Sequence, residues 1–366
     1  MDFAYTSEQE ALRDSVRRFA EREYGWEERF RLIRSPEGFA PGHWATFAEL
    51  GWLGAGLSEA AGGFGGGATE NALIAEEMGR ALITEPFIAH VVATQLLAAI
   101  GDVAASDLIA APVMGEQRIV PALQEPDGRG DWRAVATQSN GATLTGTKSL
   151  VEGASVADKL IVSARNTDGV ALYLVDPKDE GVTLSPYRTL DNHRVADVRF
   201  ANAPARLLAD GAVAQAAIET AIDHGLLALC GEALGIMDAA LWATRDYLKV
   251  RKQFGTALGN FQVLQHRMAD MLIETEMSRS ILLHALGALE DGDPLVRAAA
   301  VSAAKVQVST GGLFVTRQAI QLHGGIGVTE ELNISHHYRR LYVIARQLGD
   351  DDLHIARFAQ ATDRAA

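Results

Sequence analysis

Three short stretches carry residues able to do chemistry. "RKQFG" (Arg251 to Gly255) follows one long helical run and precedes another. Its cations could simply complement a helix C-terminus. Alternatively, its arginine could offer a bidentate fork to a pyrophosphate. "QLHGGIG" (Gln321 to Gly327) reads either as a helix C-cap or as a place where a ligand approaches the backbone closely, with Gln321 reading an adenine or ribose edge. "GGFGGGA" holds Gly63, Gly65 and Ala68 at dinucleotide-fingerprint spacing. That fingerprint needs a preceding strand and a βαβ unit, whereas helical runs flank it here, so it reads as an interhelical loop. His336 and His337 are adjacent and diverge by about 100° on a helix, so they cannot share a metal. Glu330 and Glu331 fail as a carboxylate pair for the same reason. Asp350, Asp351 and Asp352 precede an apolar-periodic run and suit a helix N-terminus.

The elements that must position these residues fall into three blocks. Residues 1–117 read as helical, opening with a capping-box spacing at Thr6 and Gln9. Further helical runs are "GHWATFAEL", "ENALIAEEMGRAL", "IAHVVATQLLAAI" and "SDLIAAPVMG". Residues 118–210 change texture to short β-branched segments such as "ATLTGTKSLV", "DKLIVSAR", "VALYLVD" and "VADVRF". Turn pairs Asn140-Gly141 and Asp168-Gly169 separate them, which predicts an antiparallel β-domain. Residues 211–366 return to long helical runs, one starting at Pro294, and predict a helix bundle. The fold class is therefore α+β.

At 366 residues the chain suits two or three domains. A net charge of −14 argues against nucleic-acid or anionic-membrane partners, which need clustered Lys and Arg. Cys230 is the single cysteine, so neither an intrachain disulfide nor a Cys-rich zinc site can form, and no metal is expected. The charged, amphipathic N-terminus does not read as a signal peptide, and no uncharged run approaches the ~18–20 residues that span a bilayer. A cytoplasmic location is expected.

The order "RKQFG", "FQVLQHRMADM", "QLHGGIGVTEE", "HHYRRL" is more specific than any one piece. It resembles the acyl-CoA dehydrogenase family, and the resemblance runs the length of the chain. "LGWLGAGLSEAAGGFGGG" resembles that family's N-terminal interhelical loop. Within the family the chain is most similar to the pimeloyl-CoA dehydrogenase small subunit and related heteromeric subunits. The resemblance implies FAD as cofactor, an acyl-CoA substrate, α,β-desaturation, and electron-transfer flavoprotein as electron acceptor. It also implies a flavin site shared between neighbouring chains.

Residue by residue, the set that holds the flavin's adenosine-pyrophosphate tail matches: Arg251, Phe254, Gln262, Gln321, Gly324 and Gly325. The ring-binding set does not. The family's "TEPxAGSD" is "QEPDGRGD" here, keeping Glu125 and Pro126 but losing the small hydroxyl residue, and its "WIT" is "LVE" (Leu150 to Glu152). The two positions where the family carries its base are Leu348 and Gly225. Asp223 is an alternative base, with a helix-cap role as its plainer reading. The resemblance thus implies a base-lacking subunit of a heterotetramer, completing the FAD site of a homologous partner subunit. The alternatives are a homo-oligomeric dehydrogenase using Asp223, and a flavin-free scaffold.

Overall fold

The computed structural model describes residues 5–289 and 292–365. In chain order, seven helices come first: α1 (Ser7–Glu23), α2 (Trp26–Leu32), α3 (Pro41–Glu49), α4 (Ala68–Ala81), α5 (Phe87–Ile100), α6 (Val103–Ser106) and α7 (Ala110–Val113). Eight strands follow: β1 (Ile119–Ala122), β2 (Gln138–Ser139), β3 (Thr143–Glu152), β4 (Lys159–Asn166), β5 (Gly169–Val175), β6 (Val182–Arg188), β7 (Arg194–Pro204) and β8 (Arg206–Asp210). Next come α8 (Gly211–Val250), a hairpin of β9 (Lys252–Gln253) and β10 (Thr256–Ala257), and then α9 (Gln262–Leu289), α10 (Pro294–His323), α11 (Ile334–Ile344) and α12 (Asp351–Ala365).

Local chemistry explains many of these boundaries. Thr6 and Gln9 form the reciprocal capping box of α1. Asp293 caps α10 ahead of Pro294, and the Asp350 carboxylate accepts from the Leu353 N–H at the start of α12. "SDLIAAPVMG" is not one helical run: α6 ends on its Ser106, the short α7 follows after a turn, and Pro112, which has no N–H, lies inside α7.

The chain divides into two compact units. One comprises residues 30–71 and 84–226 and holds the sheet, ordered β6-β7-β3-β2-β4-β5-β8, with β1 also paired to β4. The sheet is mixed rather than antiparallel, because β1 and β2 both run parallel to β4. Strand alternation and hairpin turns reveal the antiparallel neighbours, but a parallel partner arrives through a long connection that leaves no local mark. Leu144, Leu160, Val162, Tyr173, Val198 and Phe200 form the buried centre of this sheet unit.

The other unit comprises residues up to Arg29, 72–83 and those from Leu227 on. Here α10 packs against α9, α11 and α12. Helices α4 and α8 meet backbone to backbone: a Cβ on Gly79 would lie 2.1 Å from the Glu232 carbonyl oxygen, and one on Gly235 only 1.8 Å from that of Glu76. Arg279 clamps Glu76 (3.1 Å) and Asp238 (2.7 Å), tying α9 to both helices. Arg340 makes a buried, two-pronged pair with Glu232 at 2.5 and 2.7 Å, fixing α11 against α8. By length and composition Gly211–Val250 and Pro294–Val328 could cross a membrane, which the spacing of charges did not suggest. The most apolar window of the first is 83% buried inside the protein, as suits a core helix.

Candidate functional site

The bundle unit gathers the exposed polar set at one end. Helix α8 stops at Val250, and the chain turns back in the β9–β10 hairpin. The Arg251 N–H donates to the Tyr247 carbonyl (2.9 Å), and the Arg251 carbonyl accepts from Leu258 N–H (2.8 Å). The two turn residues, Phe254 and Gly255, have φ of 55° and 81°. Positive φ at both central positions is a type I′ hairpin turn, normally filled by Asn-Gly. An aromatic residue in the left-handed region is strained. Phe254 nonetheless stands 89% exposed, its ring edge-on to Phe261. Gln262 follows as the first residue of α9.

Helix α10 ends at the same place. The His323 ring stacks on Tyr247 with centroids 4.4 Å apart, and the Tyr247 hydroxyl donates to the His323 carbonyl (3.3 Å). Leu258 and Leu264 share one apolar cluster with Ile320 and Leu322. Gly324 then leaves the helix at φ 67°, ψ −142°, a conformation open only to glycine. A Cβ on Gly324 or Gly325 would meet nothing within 4 Å, so both face open space. Arg251, Gln262 and Gln321 are exposed. Among the described residues none of their side chains has a hydrogen-bond or ion-pair partner within the chain. One guanidinium and two amides without internal partners, beside two glycines with free space, can receive a polyanion.

The two remaining positions of interest carry no acid. Leu348 sits at φ 56°, its carbonyl accepting from His354 Nε2–H (2.9 Å), and Gly349 follows at φ 101°. Gly225 is buried within α8. Asp223 is 0% exposed and lies well inside α8, which begins at Gly211. The cap reading of Asp223 is therefore wrong: the helix starts earlier because the alanine-rich "GAVAQAAIET" is already helical.

In the sheet unit, the "QEPDGRGD" loop is pinned by Glu125, whose carboxylate accepts from Ala136 N–H (2.8 Å), Thr137 N–H (3.0 Å) and Lys148 Nζ (2.6 Å). Burial would raise the Glu125 carboxyl, but Lys148 and the two N–H donors hold it below the usual range. Burial pushes Lys148 down to about 8 even beside that carboxylate. Leu150 lies on a β3 bulge at φ 54°, and its N–H donates to Asp197 Oδ1 (3.3 Å), which also accepts from the Tyr187 hydroxyl (2.8 Å). Glu152 Oε1 and His193 Nδ1 lie 2.8 Å apart. This face spends its polar groups on one another. At "LVE" the Leu150 bond is made by its backbone N–H, and Glu152 brings a side-chain pair with His193.

Sequence reasoning missed Tyr247 and His323 as organisers. The available signal was the helical i, i+4 spacing from Tyr247 to Arg251 and the position of His323 just before the glycine pair. "GGFGGGA" does lie in a loop between helices, with α4 beginning at Ala68.

The profile of the acyl-CoA dehydrogenase N-terminal domain matches residues 6–107, and that of the C-terminal domain matches residues 192–362. A variant of the Tcur3481-Tcur3483 steroid ACAD superposes with a TM-score of 0.89 at 31% identity, covering 98% of both chains. The ChsE4-ChsE5 complex from Mycobacterium tuberculosis contains a chain of the same fold, with a TM-score of 0.85 at 24% identity and 99% of both chains covered. Acryloyl-CoA reductase (NADH) of Anaerotignum propionicum is 27% identical over 97% of this chain and 94% of its own. Family profiles at both ends and a 31% identical structure matched almost end to end make one assignment: the chain belongs to the acyl-CoA dehydrogenase family.

Proposed function

We propose that this chain is the base-lacking subunit of a heteromeric FAD-dependent acyl-CoA dehydrogenase, completing the FAD site of a homologous partner. The observation that carries this reading is a contrast within one chain. Arg251, Gln262 and Gln321 are exposed and, among the described residues, without side-chain partners, beside the open Gly324-Gly325 backbone, while Leu348 and Gly225 supply no carboxylate. Proton abstraction needs a positioned base, so the partner would provide it. Arg251 would hold the pyrophosphate, the two amides would meet the adenosine, and the exposed Phe254 would cover it. FAD, when bound, supplies the hydride acceptor for the acyl β-carbon. The aliphatic Leu150, where the family's motif has tryptophan, and the engagement of Glu152 with His193 favour the ring lying with the partner.

The pairing named in Tcur3481-Tcur3483 and ChsE4-ChsE5 supports a two-component assembly. Within that assembly we place the chain nearest the pimeloyl-CoA dehydrogenase small subunit, in a heterotetramer delivering electrons to electron-transfer flavoprotein. The rival is a homo-oligomer that uses Asp223, which is buried and is not a cap. One experiment separates them. The chain is purified alone and together with a homologous subunit, and FAD content is read from the absorption spectrum before anaerobic titration with acyl-CoAs. The lone chain should carry well under one FAD per subunit and should not bleach, whereas the pair should hold FAD and bleach on adding substrate. A yellow lone homo-oligomer, fully loaded and bleached by substrate, would install the rival.

A further inference from the structure

The polar set that would meet the tail comes from the ends of three helices, α8, α9 and α10, and helix ends are where backbone order fades. Arg251 lies just past α8, and Gly324 just past α10. A pyrophosphate gripped from both sides needs these ends at a fixed separation, because hydrogen bonds weaken steeply outside a narrow range of distance and angle. The described contacts include one device that joins them directly. Tyr247, one turn before Arg251, stacks on His323 at 4.4 Å with 26° between the planes, and its hydroxyl donates to the His323 carbonyl at 3.3 Å. That carbonyl belongs to the last residue of α10, where the chain passes into the 3₁₀ turn Gly324–Val328. His323 is held in turn by its Nδ1–H, which donates to the Ala319 carbonyl (2.8 Å). The Arg251 N–H donates to the Tyr247 carbonyl, so the ring and the arginine are coupled through one backbone bond.

We propose that Tyr247 and His323 are positioning residues for the phosphate end of the site, a clamp that sets the spacing between Arg251 and Gly324-Gly325. This rests on the reading above that the exposed set receives a nucleotide tail. The clamp touches no ligand itself. Its stack resists sliding of one helix end past the other, and its hydrogen bond fixes the direction in which the chain departs at Gly324.

The test uses the chain assembled with a homologous subunit and freed of FAD, and ADP, which carries the adenosine and pyrophosphate without the ring. Affinity is measured by calorimetry and stability by thermal melting. Wild type should bind ADP, and Arg251→Ala should weaken it at least about tenfold, the loss of a charged hydrogen bond. Tyr247→Phe keeps the stack and loses the hydroxyl, and should weaken ADP binding about three- to tenfold while the melting temperature moves by less than about 2 °C. Tyr247→Leu should weaken binding further. His323→Phe, which keeps both a ring and the carbonyl, should bind nearly as well as wild type, whereas His323→Ala should not. If Arg251→Ala weakens binding but both Tyr247 variants bind like wild type, the clamp fails and the tail site stands. If affinity and melting temperature fall together and His323→Phe does not restore binding, the pair is merely structural and the proposal is overturned. A wild-type assembly that does not bind ADP, or whose Arg251→Ala variant binds it equally well, would overturn the tail site and the clamp together.

Discussion

At the scale of single residues, chemistry and position part company. Arg251 and Gln321 are candidates because, among the described residues, nothing pairs with their side chains, whereas Glu125 and Lys148 are buried and fully engaged in holding a loop. Asp223 tests the distinction. A helix cap tolerates Asp→Asn at little cost, but at a fully buried position the change puts amide N–H donors where a carboxylate oxygen sat, and a buried donor without an acceptor costs free energy. Asp223→Asn should therefore destabilise the chain by about 1–3 kcal/mol, measured by denaturant titration. Flavin reduction in the assembled complex should persist. A loss of several orders of magnitude in that rate, with FAD still bound, would make Asp223 the base and end the two-component reading.

At the scale of elements, the β9–β10 hairpin shows a local rule broken for an outside purpose. Its turn demands positive φ at both central residues, which asparagine tolerates and phenylalanine does not. Phe254→Asn should stabilise the chain by about 0.5–1 kcal/mol through relief of left-handed strain. It should also lower FAD retention in the complex, because the exposed ring is lost. A melting temperature that drops, or FAD content that does not, would contradict the view that strain is kept for binding. The α4–α8 contact is the opposite case, where glycines serve the fold alone. Gly79 and Gly235 allow backbones to touch, and a side chain there has no room.

At the scale of the whole molecule, stability should depend on acidity through buried histidines. Burial pushes His90 down to about 4, only partly offset by its ring N–H donating to the Leu53 carbonyl (2.7 Å). The unfolded chain takes up this proton near pH 6.5, while the folded protein does not until about pH 4. The unfolded state thus binds more protons in between, and stability present above about pH 6.5 is lost as pH falls toward the folded value. Melting temperatures between pH 7 and 4.5 should fall accordingly. His90→Gln, which keeps a donor for Leu53 but does not titrate, should reduce that slope, and an unchanged slope would show that other groups carry it.

The sequence by itself determined the helix–sheet–helix order, because periodicity, caps and turn pairs act over a few residues. Thr6 with Gln9, Asp168-Gly169 and Pro294 all do locally what their chemistry requires. It also yielded the candidate set from Arg251 to Gly325, through a motif order that one chain displays in full. Only the tertiary structure decided the rest. Parallel pairing of β1 with β4 joins segments far apart in the chain. The true start of α8 removed Asp223 from a helix end. The stack of Tyr247 on His323 joins residues 76 apart in sequence, and no local pattern could pair them. Local signals record what a residue does to its neighbours in sequence. Burial, a backbone in contact or a ring in a stack depends on which distant element arrives, and that is settled only when the whole chain packs.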